Sequence, residues 1–390
     1  MKKTIKDFEL CGKKVIIRCD LNVPIRDNVI EDDTRIISSV RTIKYAIREG
    51  AKVILLSHLG KVKTEEDKLN NSLYPVSLRL SEYLGKDVLF SYDTRGESLT
   101  NMVNNMKDGD VLLVENTRFE DLDGKKESDC DVELAKYWAS LGDIFINDAY
   151  GSSHRGHASV TGIPKFLPSG VGFLVEKEIK KIDSVLDSKT HPFVVVLGGK
   201  KVDDKITLIE KLVERSDKLL IGGAMSFTFL KTMGYNTGKS IVSTEHLEFA
   251  RNMLDKYSDK IVLPVDFVLE DGTKDIKDFD NDDIGYDIGP KTVKLFEKEL
   301  ISAKRVIING PMGMFEDSRY SNGTKKILKV LDKNKIKTVV GGGDTASAVN
   351  NLGFGDSFYH VSTGGGATMK YLEDKTLVGI EVIDDAQEKN

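Results

Sequence analysis

Short runs of β-branched and aliphatic residues recur along the chain, each ending abruptly in polar or Gly-rich sequence, and a helical stretch usually follows. In the first half the runs are Val15-Ile16-Ile17, Val53-Ile54-Leu55-Leu56, Val111-Leu112-Leu113-Val114 and Ile144-Phe145-Ile146. In the second half they are Phe193 to Leu197, Leu219-Leu220-Ile221, Ile261-Val262-Leu263, Val306-Ile307-Ile308 and Thr338-Val339-Val340. Continuous apolar runs, as opposed to alternating ones, predict strands covered on both faces. Helical stretches such as Val132 to Leu141 and Lys205 to Glu214 lie between them, which favours βαβ units and parallel sheets. The pattern therefore predicts an α/β chain with a doubly wound parallel sheet in each half. Between the halves, Val175, Ile179, Ile182, Val185 and Leu186 fall near a 3.6-residue period with Lys and Glu interspersed. That spacing predicts a hinge helix, entered through Gly170-Val171-Gly172, within a connector spanning 173–190. The expected lobes are 1–172 and 191–372.

Composition narrows the class. A length of 390 residues leaves ample chain for two or three cores. Hydrophobic residues at 40% and charged residues at 31% describe a folded, globular chain. A net charge of -5 offers no nucleic-acid or membrane surface. The cysteines Cys11, Cys19 and Cys130 form no CxxC pair and no disulfide framework, so reduced thiols are expected. The lysines near the N-terminus precede no apolar run, and no stretch has the length of a membrane span, so the expected location is cytoplasmic.

Ligands of open α/β sheets bind outside the carboxyl ends of the strands, so the residues just after each run carry the functional signal. In the first half these are Arg18-Cys19-Asp20-Leu21-Asn22, Ser57-His58-Leu59-Gly60-Lys61, Glu115-Asn116-Thr117-Arg118 and Asn147-Asp148 through His154-Arg155, with Arg35 expected in the loop after the first. Guanidinium forks and imidazole donors at four strand ends suit an anion bearing carboxylate and phosphate groups. In the second half the ends are glycines: Gly198-Gly199-Lys200-Lys201, Gly222-Gly223, Asn309-Gly310-Pro311, Gly341-Gly342-Gly343-Asp344 and Gly364-Gly365-Gly366. Glycine turns let backbone N–H groups approach phosphate oxygens, and the next helix adds its positive end. Such turns also occur for geometry alone, but five together predict a nucleotide site. The stretch Gly234 to Ser240 imitates a P-loop but has three residues between its glycines where the motif needs four. No dinucleotide fingerprint and no metal-ligand cluster of His and Cys stands out, which disfavours an oxidoreductase.

The segments RCDLNVP, SHLG, ENTRF, NDAYGSSHR, LGGKKVDDK, DIGPK, NGPMGMFE, GGGDTA and STGGGA follow one another in the order found in phosphoglycerate kinases. The chain resembles that family over nearly its whole length. The resemblance implies two Rossmann-like lobes, with a C-terminal tail of about 373–390 returning to the first. It implies phosphoryl transfer in glycolysis between 1,3-bisphosphoglycerate with ADP and 3-phosphoglycerate with ATP, directly and in line after lobe closure, with Mg²⁺ as cofactor, in a monomer that binds neither nucleic acid nor membrane. By motif, Asp20, Leu21, Asn22, Arg35, His58, Leu59, Gly60, Lys61, Arg118 and Arg155 should hold phosphoglycerate. Lys201, Lys205, Gly222, Gly223, Gly285, Asn309, Glu316, Gly342, Gly343, Asp344 and Thr345 should hold the nucleotide, with Asp344 on the metal. Asp344 also fits the bland role of a helix N-cap. Arg35 and Lys201 are expected to be catalytic, balancing charge on the moving phosphoryl group. Departures from the family pattern are Lys61 for Arg, Val62 for Pro, Lys200 and Asp203 for small residues, and Lys370 for an acidic one. Asp203 is expected to offset the charge of Lys200.

Overall fold

The computed structural model describes residues 2–386. It divides into two compact units, one formed by residues up to Ile179 together with those from Thr376 on, the other by Lys180–Lys375.

The first unit is built on a six-stranded parallel sheet in the order Leu89–Ser91, Val111–Val114, Lys52–Leu56, Lys14–Cys19, Ile144–Asp148, Ser169–Val171. Val15 pairs with Val53 on one side and with Ile144 on the other. Chain direction across the sheet therefore switches beside Lys14–Cys19, which opens a crevice at its carboxyl end. Helix Thr34–Arg48 buries Ile36, Ser39, Thr42, Ile43 and Ala46, one stripe at three- and four-residue spacing, against Val15, Ile17, Val53 and Leu55. Each such aliphatic side chain contributes roughly 1.5–3 kcal/mol by leaving water.

The stretch around Gly170 is an edge strand and not only an entry to the helix. Its three residues hold no apolar run, and the backbone of Lys3 and Thr4 lies within 3.3 Å of where a Cβ on Gly170 would stand. Helix Phe173–Leu186 starts on the buried carboxylate of Asp148, whose Oδ1 accepts from the N–H of Leu174 at 2.8 Å and of Val175 at 3.4 Å. The segment after Thr376 belongs to this unit. Asn147 Nδ2 donates to the Gly379 carbonyl at 2.7 Å, Gly379 N to the Ser153 carbonyl at 2.8 Å, and Lys3 N to the Asp384 carbonyl at 2.8 Å.

The second unit has a six-stranded parallel sheet in the order Ile261–Val262, Lys218–Ile221, Phe193–Leu197, Arg305–Asn309, Lys337–Gly341, His360–Val361. Numbered along the chain this is 3-2-1-4-5-6, the dinucleotide-fold order, and its switch point lies between Phe193–Leu197 and Arg305–Asn309. Gly198 N donates to the Asn309 carbonyl at 2.9 Å, holding those two strand ends together. An antiparallel sheet of Asp266–Leu269, Gly272–Asp275 and Asp287–Ile288, which the apolar pattern does not predict, packs Phe267 on Phe227 with ring centroids 4.3 Å apart. Among the described residues no helix is long and apolar enough to cross a membrane. All three cysteines are free thiols.

Candidate active site

At the switch point of the first unit, the predicted residues come together. Asp20, buried just past strand Lys14–Cys19, receives Arg35 Nη1 on both carboxylate oxygens, at 2.9 and 3.0 Å. Arg35, on the first turn of its helix, is thereby aimed by a carboxylate and remains about a third exposed, 37% by side chain. Asn22 Oδ1 accepts from Gly60 N at 2.8 Å and so ties the first loop to the second. Gly60 has φ +60°, and a Cβ there would stand 2.1 Å from Asn71 Oδ1. Leu21 and Leu59 contribute main chain only, because their side chains lie in the core. Arg118 donates Nη1 to Asp121 Oδ2 at 2.6 Å, while its buried Nε has no hydrogen-bond partner. Arg155 is half-buried and lies within the electrostatic reach of Arg118, Asp20 and Arg35. Lys61 is exposed and makes no ion pair among the described residues.

A layer the strand-end reading did not assign supports this cluster. Arg18 is fully buried, and its Nε donates to Ser159 Oγ at 2.8 Å. Ser159 Oγ donates to Glu127 Oε1 at 2.5 Å, and Ser159 N to Glu127 Oε2 at 2.9 Å. Burial pushes the Glu127 carboxyl up, opposed by Arg18 and Ser159. Arg18 Nη2 lies 3.2 Å from His58 Nδ1. A guanidinium cannot accept, so Nδ1 accepts and Nε2 carries the ring proton. Burial, then the charges of Arg18, Arg155 and Arg118, hold His58 well below the ordinary imidazole range, so it is a neutral donor at pH 7. The sequence signal for Arg18 is a charge inside a run otherwise buried on both faces.

At the switch point of the second unit there are two cavities. One, of about 500 Å³, is lined by Gly223, Ile241, Gly285, Tyr286, Met314 and Glu316 among others. A Cβ on Gly285 would stand 2.5 Å from the Phe227 ring, so an apolar aromatic cluster underlies this cavity. Gly223 has φ +64°, and a Cβ would meet the Gly199 backbone at 2.6 Å. Gly222 is the exception among the predicted turn residues: it does not line the cavity but packs where a Cβ would meet Met312 Sδ at 2.5 Å.

The other cavity, of about 300 Å³, is lined by Lys201, Asp204, Lys205, Asn309, Gly342, Gly343, Asp344, Thr345 and Met369 among others. Lys205 is buried against Asn309 Oδ1. Burial pushes its ammonium down, opposed by Asp344 and Asp204. Asn309 Nδ2 is buried without a partner and faces the Gly342 turn, where a Cβ would meet it at 2.8 Å. Thr345 Oγ1 accepts from Gly310 N at 2.6 Å. Asp344 is not the N-cap. Gly342, with φ +89°, takes that position, which puts Asp344 in the first turn of Gly343–Asn351. Lysines, an unused amide donor and a helix N-terminus suit a polyphosphate. A carboxylate beside that space fits Mg²⁺, which binds through one or two carboxylates together with phosphate oxygens.

Two departures have local explanations. Asp203 turns to His246 Nε2 at 3.5 Å and to the Ser243 hydroxyl, and the nearby lysine it feels is Lys201; it does not offset Lys200. Lys370 pairs on its own helix with Glu373 at 3.5 Å and Asp374 at 2.8 Å. The stretch Gly234 to Ser240 is a loop with no helix starting at Ser240, and its Lys239 is paired with Asp282 at 2.6 Å.

A family model described as phosphoglycerate kinase matches residues 5–375. The phosphoglycerate kinase of Macrococcus caseolyticus is 52% identical over 99% of this chain and 100% of its own length. That of Enterococcus faecalis is 51% identical over 98% and 99%. Among solved structures, phosphoglycerate kinase from Coxiella burnetii superposes with a TM-score of 0.88 at 34% identity, covering 98% of each chain. That from Pyrococcus horikoshii gives 0.85 at 30%, again with 98% of each chain covered. With its two doubly wound sheets, its cationic strand ends and its glycine-lined cavities, the chain belongs to the phosphoglycerate kinase family.

Proposed function

We propose that this chain transfers a phosphoryl group reversibly between 1,3-bisphosphoglycerate with ADP and 3-phosphoglycerate with ATP, as a glycolytic phosphotransferase with a carboxyl acceptor. The observation that carries the reading is the presence in one chain of two anion sites of different construction, one made of guanidinium and imidazole side chains, the other of glycine turns, lysines and a helix N-terminus. Arg35, His58, Arg118 and Arg155 hold the phosphoglycerate, with Asp20 and Asn22 orienting them. Leu21, Leu59 and Gly60 contribute backbone, and Lys61 an outer charge. Gly223, Gly285 and Glu316 receive the base and ribose. Lys201, Lys205, Asn309, Gly342, Gly343 and Thr345 receive the phosphates.

In the direction of ATP formation, the acyl phosphate P–O bond breaks as a new P–O bond forms to the terminal oxygen of ADP. The leaving carboxylate and the attacking phosphate oxygen are both already anionic, so no proton is moved. What the step requires is in-line positioning and charge balance on the equatorial oxygens, which Arg35 and Lys201 supply. Asp344 would hold Mg²⁺, which when bound neutralises charge on the nucleotide phosphates.

The two sites belong to different units, so transfer requires closure, with helix Phe173–Leu186 as hinge. Each site is complete within one chain, which fits a monomer, and the soluble phosphorylated substrates fit the cytoplasm. A coupled assay with 3-phosphoglycerate and MgATP tests the reading. Turnover is expected, and its absence with correctly folded protein would overturn it. Small-angle scattering should show compaction only with both substrates bound.

A further inference from the structure

Two residues stand out for charge where the two cavities of the second unit meet. Gly199, Lys200, Pro311 and Asp344 line both the larger cavity and the smaller one, and of these only Lys200 and Asp344 are charged. Lys200 is exposed, and it makes no hydrogen bond or ion pair among the described residues. Its sequence neighbour Asp203 is engaged with His246 and Ser243. Lys201 and Lys205 line only the smaller cavity, and Lys205 is held by Asn309. Lys200 is therefore a cation without an ion pair among the described residues, beside Asp344, where a base-sized space over an aromatic cluster meets a lysine-lined phosphate space. The family resemblance puts a small residue at this position, where this chain carries Lys200.

A nucleotide spanning both cavities places its first phosphate, the one bonded to ribose, at that junction. We propose that Lys200 is a further binding residue that pairs with the α-phosphate and so makes this chain hold nucleoside monophosphates as well as di- and triphosphates. The proposal rests on the nucleotide reading above. Because AMP, ADP and ATP share the α-phosphate, the contact acts on all three by a similar factor. Contacts from Lys201 and Lys205 discriminate among them instead.

Binding of adenosine, AMP, ADP and ATP should be measured by calorimetry for the intact protein and for Lys200→Ala, Lys200→Gln and Lys200→Arg. The two neutral variants are expected to weaken AMP, ADP and ATP by about fivefold each at low salt, as a charge-assisted hydrogen bond partly screened by water requires. The loss should shrink toward twofold in high salt. Adenosine should bind all four proteins alike, which also reports an intact cavity, and Lys200→Arg should retain most of the AMP affinity. Unchanged AMP affinity in both neutral variants would overturn the proposal, as would a loss confined to ATP, which would place the ammonium at the terminal phosphates. An equal loss for adenosine would also overturn it, since packing and not charge would then be at work. If the unmodified protein binds none of the four, the nucleotide reading falls and this proposal falls with it. If it binds them and the variants match it, only the role of Lys200 falls.

Discussion

On the function proposed above, the two units solve the same problem, holding an anion at the switch point of a parallel sheet, with opposite materials. The first uses side chains. Arg35, Arg118, Arg155 and His58 reach in from separate strand ends, braced by Asp20, Asp121 and the buried Arg18–Ser159–Glu127 chain. The second uses main chain and space. Gly199, Gly223 and Gly342 adopt positive φ, and a Cβ on Gly223 would stand 2.6 Å from the Gly199 backbone. A site made of long cations must be stiffened from below by carboxylates and hydrogen bonds. A site made of backbone is stiff already, but at Gly223 and Gly342 it has no room for an added Cβ.

That contrast can be broken at its weakest points. The largest effect is expected at Arg18. Replacing it with Leu strands Glu127 in the interior and should cost the first unit about 3–5 kcal/mol, read from the urea midpoint of that unit's transition. The second unit should be spared. If both units lose equally, the bracing is not local. Next come the two groups assigned to the moving phosphoryl, one from each unit. Arg35→Ala and Lys201→Ala should each lower kcat at least ~10²-fold in the coupled assay, the scale of one lost preorganised charge donor. Near-normal turnover in either would remove that unit's group from the reaction.

A smaller effect distinguishes backbone from side chain directly. Gly223→Ala forces a Cβ to within 2.6 Å of backbone atoms at a positive φ. It should raise the nucleotide KM about tenfold, from strain of roughly 1–3 kcal/mol, and leave the phosphoglycerate KM near its starting value. Equal changes in both would erase the distinction.

A last effect concerns a feature the units share. Burial pushes Asp287 up to about 7, and Gly323 and Ile288 N–H groups oppose it. Its folded value lies above the unfolded one near 3.8, so its contribution to stability is complete below about pH 4 and is lost as pH rises to about 7. Asp287→Asn removes that loss. Relative to the unmodified protein, the variant should gain stability from pH 4.5 to about 7 and level off above that in denaturant titrations, and a flat difference throughout would sink the assignment. Asp148 in the first unit, also pushed up to about 7 by burial, should behave alike as Asp148→Asn. His157, pushed down to about 3 mainly by burial, acts with the opposite sign and is untouched by either change.

The central strands were legible because Val15 to Ile17, Val194 to Leu197 and Val306 to Ile308 are covered on both faces and read as unbroken apolar runs. The edges were not. Leu89–Ser91, Ser169–Val171 and His360–Val361 are two or three residues long, too short to carry a period. The antiparallel sheet around Asp266 mixes charge with single aromatics, and its pairing is fixed by partners up to about twenty residues away in the chain. In the sites, Arg35, Arg118 and Arg155 could be read because charge at a strand end has no core to serve. Arg18 was read as a strand-end cation, but it lies inside Lys14–Cys19, fully buried, and braces the cluster from beneath. Glu127 and Ser159 were missed because loops carry no periodicity to say which of them meet. The position of Asp344 depended on a backbone angle at Gly342 that residue identity alone does not dictate.

The first unit is not one uninterrupted piece of chain. Asn147 and Lys3 wait for the carbonyls of Gly379 and Asp384, and Leu377 and Ile380 are buried on that unit. On the ribosome, then, every residue of the second unit is made before the first has all its parts. The second unit therefore has all its contacts available while the first still lacks its last segment, so the first cannot be completed ahead of the second.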